Sequence, residues 1–293
     1  MGLKVAAVIV MMSLGAIAQD SPKPLDCDQL LSWMTAGIPS QRLLRMARER
    51  GIAFKITDNT AGILSKAGAS ADFIKDLRSL DSPGERAQCS AELAQAAVLV
   101  HQQSYDQAES IIRKLLAAAP DNTDLHLAFG YLRQQQGDLD EAYDGYADAK
   151  DLNPGFAEIH NGLSYIFYRS NDAENAIAEA RTALSIDPQN AEGYRYLGLG
   201  LYANENYKAA LHALQESLTR DPNCAETYYD IGLLQAAEKN LAAAAESYKT
   251  AIRLNPGLIE AQAALRLVLR ELEQAQAALA ERQKSQADTP ARR

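Results

Sequence analysis

The chain has little aromatic bulk: one Trp and five Phe in 293 residues. Three Cys in so long a chain are too few for a disulfide-stapled miniprotein. No CxxC pair occurs, and no Cys stands near a His at metal-ligand spacing, so zinc-site and thioredoxin-like readings have no support. The GxSxG, HExxH, P-loop and dinucleotide fingerprints are missing. No catalytic residue, metal ligand or cofactor is therefore assigned. Basic residues are in deficit, with 29 Lys and Arg against 38 Asp and Glu and a formal charge of -9. That balance lacks the basic footprint of non-specific nucleic-acid binding. Composition also excludes collagen-like and polytopic membrane classes. What is present is 47% apolar residues, enough for a buried core, and 13 Tyr.

Met1 to Ala18 is expected to be a cleavable signal peptide. Lys4 supplies the positive start, Val5 to Leu14 is an apolar run, and Ala16-Ile17-Ala18 fits the small-residue cleavage pattern before Gln19. The run is too short to span a bilayer comfortably. The expectation is a periplasmic or secreted protein with no stable membrane span after cleavage; an uncleaved anchor is the alternative. Export would permit a disulfide. Cys27 and Cys89 bracket the segment between leader and repeats and are the preferred pair. Three separate thiols, Cys224 being the third, are the alternative.

Residues 19–88 read as a small helical domain of two αα-hairpins. Leu30, Leu31 and Met34 have helical spacing and stop at Gly37. Ser40 is expected to cap a second helix carrying Leu43, Leu44 and Met46, ending at Gly51. Thr57 or Asp58 caps a third that ends at Gly68, and Ser70 caps a fourth with Phe73, Ile74 and Leu77 inward. The face Arg42, Arg45, Arg48, Arg50 is read as solvated helix surface in preference to a docking patch.

Residues 89–258 repeat every 34 residues without insertion. Pro120, Pro154, Pro188, Pro222 and Pro256 each close a unit. Twelve residues before each Pro stands Ala108, Ala142, Ala176, Ala210 or Ala244, and twelve before that Ala96, Gly130, Ser164, Gly198 or Gly232. Small residues at these points let two antiparallel helices approach closely, and Pro cannot continue a helix interior. Each unit is thus a helical hairpin that buries its apolar face only by stacking on its neighbours.

This pattern resembles the tetratricopeptide repeat (TPR), whose small residues at positions 8, 20 and 27 and Pro at 32 coincide with those just named. The units are 89–122, 123–156, 157–190, 191–224 and 225–258. The resemblance implies an all-α fold: a right-handed α-solenoid of five hairpins, preceded by the four-helix unit. Residues 259–284 read as a capping helix and 285–293 as a disordered tail. The Lys and Asn that some family members use to hold a chaperone's C-terminal carboxylate do not stand together here.

Family geometry also implies a concave face formed by positions 2, 5, 6, 9, 12 and 13 of each first helix. In unit two these include Asp124, Leu127, Tyr131, Gln134 and Gln135; in unit three Glu158, Asn161, Tyr165, Tyr168 and Arg169. Unit four offers Glu192, Arg195, Tyr196, Leu199 and Tyr202, and unit five Glu226, Tyr229, Asp230 and Leu233. Six of the 13 Tyr fall on this face. A phenol ring supplies stacking area with one polar group, which suits a groove. The expected role is a non-enzymatic scaffold that binds an extended peptide or protein segment, with Arg169, Arg195 and Asn161 as polar clamps, in envelope assembly or secretion. The alternative for the Tyr residues is mutual packing in a tightly wound array. Alternatives for the function are a glycan-binding or polysaccharide-export accessory protein, or an enzyme whose residues converge only in the fold. The recurring acids Asp124, Glu158, Glu192 and Glu226 are read as first-turn carboxylates that complement helix N-termini.

Overall fold

The computed structural model describes residues 23–80 and 89–287. The expected leader, Met1 to Ala18, lies outside the described residues. Four short helices come first: α1 (Cys27–Thr35), α2 (Ser40–Arg50), α3 (Asp58–Lys66) and α4 (Ala71–Ser79). Asp26, Thr57 and Ser70 cap α1, α3 and α4, accepting from the backbone N–H of Gln29, Thr60 and Phe73. Ser40 is not a cap. Pro39 takes that position in extended backbone, and Ser40 is the first helical residue. Leu25 pairs with Ile52 in a parallel bridge, tying the chain before α1 to the chain after α2.

Ten helices of the hairpin units follow: α5 (Ala91–His101), α6 (Tyr105–Ala118), α7 (Thr123–Gln136), α8 (Leu139–Leu152), α9 (Ala157–Arg169), α10 (Ala173–Ile186), α11 (Ala191–Ala203), α12 (Tyr207–Arg220), α13 (Ala225–Ala237) and α14 (Leu241–Leu254). They stack as an α-solenoid. The small-residue spacing has a direct structural cause. Ala108, Ala142, Ala176, Ala210 and Ala244 are fully buried between helices. The Tyr248 ring lies over Gly232 so closely that an added Cβ would stand 2.4 Å from it. Each hairpin turn holds one residue in the left-handed region at the same place: Gln103, Gly137, Asn171, Glu205 and Lys239.

The last helix, α15 (Ile259–Ala287), packs on α14 through Ala264, Leu265, Val268 and Leu272. Arg266, exposed on this helix, stands where the five units have a small residue. At 1.5 Å per residue α15 spans about 43 Å, about twice the length of α14, and its distal half extends past it with Leu279 exposed. The helix runs to Ala287, into the segment expected as tail; residues 288–293 lie outside the described residues. Among the described residues no helix is long and apolar enough to cross a membrane.

The four-helix unit is not a separate globule. Its buried Leu30, Leu31, Trp33 and Leu64 share one apolar cluster with Leu93, Ala96, Leu125 and Leu132 of the array. Cys27 and Cys89 are joined in a disulfide, and Cys224 is unpaired.

Candidate partner-binding groove

The first helices of units two to five line a concave cavity of about 1500 Å³. Fourteen of the nineteen residues expected on this face border it: Tyr131, Gln134, Gln135, Tyr165, Tyr168, Arg169, Glu192, Arg195, Tyr196, Leu199, Glu226, Tyr229, Asp230 and Leu233. The other five do not. Leu127 and Asn161 are buried between helices, and Tyr202 packs on Tyr207 with ring centroids 5.8 Å apart. Asp124 and Glu158 are covered by the N-terminal unit.

That unit occupies one end of the concave face. Trp33 Nε1 donates to Asp124 Oδ1 at 2.6 Å, and Gln29 donates to Asp124 Oδ2 at 3.2 Å. The Trp33 ring stacks on Phe156 at 5.1 Å, and the Arg50 guanidinium lies 5.3 Å from the Trp33 ring centroid. Gly37 lies against the Tyr131 ring, with no space for a Cβ. Arg42 Nε donates to Glu158 Oε1 at 2.6 Å and its Nη1 meets Asp187 Oδ2 at 2.7 Å. Arg45 Nη2 adds a contact to Asp187 at 2.5 Å. The arginine face expected to be solvated is therefore mostly a docked face. Only Arg48, paired with Asp76 at 3.2 Å, remains well exposed. The groove consequently has a composite wall, since Gly37, Pro39, Gln41, Arg42 and Arg45 also border the cavity.

Tetratricopeptide repeat models match residues 99–166, 157–190 and 197–259, together more than half of the chain. The chain belongs to the tetratricopeptide repeat family. No curated protein matches it in sequence. Solved TPR structures share its fold. One is a thermophilic TPR protein of Thermus thermophilus, at 17% identity and TM-score 0.55, covering 61% of this chain and 97% of that one. Another is PilW, a widely conserved type IV pilus biogenesis factor, at 21% identity and TM-score 0.54, covering 69% of this chain and 93% of that one.

Within this TPR array the expected polar clamps divide. Arg195 is held by Asp230, Nε to Oδ2 at 2.7 Å, and lies over the Tyr196 ring at 4.8 Å. It is a buried ion-pair member, not a free clamp. Asn161 is 3% exposed, and neither amide atom has a protein partner. Arg169 remains at the rim, donating to the Tyr165 hydroxyl at 2.6 Å. The Tyr residues divide as well. Tyr165 and Tyr196 border the cavity while packing edge to face at 6.0 Å, whereas Tyr168 borders it without such a ring partner. Burial lifts the Tyr168 phenol to about 12, so it stays a neutral hydrogen-bonding group.

Burial also lifts the Glu192 carboxyl to about 7; the neighbouring Glu158 and Glu226 charges add to this, against Arg195 and Arg42. Burial raises the Asp124 and Asp230 carboxyls in spite of their donors. The Cys224 thiol is pushed up to about 11 by burial, which leaves little thiolate at neutral pH. His126 and His160 hold the repeat together: each ring Nε2 bonds the carbonyl of the preceding unit's Pro, at 2.7 and 2.9 Å. Among the described residues no group of three or more His, Cys, Asp or Glu could hold a metal ion.

Sequence reasoning missed Trp33, Phe156 and Asp187. One signal was available. Phe156 stands at the last position of its unit, where Asn122 and Asn190 cap the next helix with their side chains. Phe156 makes no such bond. An aromatic in place of a cap marks a position claimed by another contact, here the Trp33 ring.

Proposed function

We propose that this TPR protein is a non-enzymatic interaction scaffold that holds a segment of a protein partner in its concave cavity. The observation that carries this reading is the cavity's composition. Position nine of successive first helices places Tyr131, Tyr165, Leu199 and Leu233 in register along it, flanked by polar Gln134, Gln135 and Arg169. An apolar ladder with polar flanks can take alternate side chains of an extended chain and bond its backbone. The cavity stays open although the N-terminal unit fills one end of the face.

The protein acts outside the cytoplasm in this proposal, in envelope assembly or secretion. The leader pattern of residues 1–18 supports it. So does the Cys27–Cys89 bond, which suits an oxidising compartment.

Selection of a random peptide display library on the whole chain tests the groove. Enriched peptides should lose roughly tenfold in affinity on a Tyr168→Ala, Leu233→Ala variant of unchanged helicity. Equal binding by that variant would reject the cavity as the site. Protein recovered from the extracytoplasmic fraction should begin at or near Gln19, and recovery there with Met1 retained would refute cleavage.

A further inference from the structure

Unit three carries two carboxylates that together grip arginine. Glu158 is its second residue and Asp187 its thirty-first. Arg42 bridges the two at 2.6 and 2.7 Å, and Arg45 adds its contact to Asp187. A planar fork of donors suits such bridging, as a lysine ammonium does not.

The sequence repeats this pair once. Thirty-four residues on, Glu192 and Asp221 hold the same two positions of unit four. The pair is not general to the array, because Asn153 partners Asp124 in unit two and Asn255 partners Glu226 in unit five. Glu192 and Asp221 both border the cavity that Arg42 and Arg45 border. Among the described residues neither forms a salt bridge, whereas both carboxylates of unit three do. The arginines nearby are committed elsewhere. Arg195 is held by Asp230, and Arg220 by Glu216, the Pro188 carbonyl and the Tyr194 hydroxyl.

We propose that Glu192 and Asp221 form a second arginine clamp, which receives a guanidinium from an arginine-bearing segment of the protein partner. The proposal deepens the reading of the cavity as a peptide groove and rests on it. The array's own charge agrees, with 24 acidic against 12 basic residues in 89–258. The docked α2 helix shows the mode of binding that the free clamp repeats. The state of Glu192 fits too. Its carboxyl sits near neutrality in pKa because it is half-buried beside Glu158 and Glu226, with Arg195 and Arg42 only partly offsetting them. An incoming guanidinium would favour the ionised form, so binding should strengthen as pH rises through about 7.

The probe is a labelled peptide copying residues 40–50, titrated onto the whole chain and followed by anisotropy. In a control peptide every arginine is replaced by citrulline, which keeps shape and loses charge. Citrulline should weaken binding roughly tenfold or more, and Glu192→Gln with Asp221→Asn should do the same. Combining the citrulline peptide with the double variant should cost little beyond either alone, since both remove one interaction. Absence of binding at millimolar peptide, or equal binding by wild type and variant, would overturn the clamp. Loss on Glu158→Gln in place of the pair would put the peptide on the first clamp and overturn it also. Display-selected peptides that need Tyr168 and Leu233 but ignore Glu192 would leave the groove standing and remove the clamp alone.

Discussion

At the scale of single residues, Glu192 is where the fold works against itself. Its carboxyl sits at about 7 in the folded chain against an ordinary value of 4.5. A raised carboxyl means the folded state holds its proton more tightly than the unfolded state. Below about 4.5 both states are protonated and the residue costs nothing. Between about 4.5 and 7 the unfolded state ionises first, so stability falls as pH rises, and above 7 the cost is constant. Glu192→Gln removes this dependence. The variant should match wild type at pH 4 and exceed it by on the order of 1–2 kcal/mol at pH 8. Urea midpoints at the two pH values measure this, and a gain of equal size at both would point to a cause other than ionisation. Nothing local in the sequence reveals that shift. The Glu recurs at its position as an ordinary first-turn acid, and only the stacking of units three to five half-buries it. By contrast Gly232 and Ala244 were legible, because close helix approach demands small residues at fixed spacing.

At the scale of elements, helix pairs and their turns were readable, and the docking of one set on another was not. A period of 34 fixes which residues of a unit meet, since those contacts recur. The polar contacts of α1 and α2 with units two and three occur once, between residues 91 to 145 apart in sequence. Helical periodicity marks the arginine face of α2 as polar but cannot say what it meets. The turns carry a second regularity that composition hides. Five residues spaced by 34 adopt left-handed backbone, and only Gly137 is glycine. Lys239 holds φ at 63° with a Cβ in place, a conformation that costs about 1 kcal/mol or more for most residues. Lys239→Gly should relieve that cost against some loss of unfolded-state restriction, for a net gain of about 0.5 kcal/mol. Gly137→Ala should lose about 1 kcal/mol by the same reasoning. Thermal unfolding of the two variants checks the pair, and shifts of the same sign would contradict the assignment.

At the scale of the whole molecule, the N-terminal unit and the array behave as one body, held at two points beside their shared apolar cluster. One is the Cys27–Cys89 bond, which closes a loop across 62 positions of sequence. The other is the set of contacts from Trp33 and Arg42. Solenoid units are stabilised by their nearest neighbours, so loss at one end need not unfold the other. The loop closed by the disulfide contains all of α1 to α4, and on a chain-entropy model its removal costs about 4 kcal/mol. That cost should fall on the N-terminal unit. Trp33 is the chain's one Trp, buried at 1% exposure against Phe156, so its emission reports docking of that unit alone. Far-UV circular dichroism reports mainly the array. With the disulfide intact, the two signals should change together in urea. In Cys27→Ser, Cys89→Ser protein the Trp33 transition should move to lower urea and separate from the dichroism transition. Coincident curves in the variant would mean that the docking contacts, not the disulfide, couple the unit to the array. An unshifted Trp33 midpoint would mean that the reduced chain is already held as closely as the oxidised one.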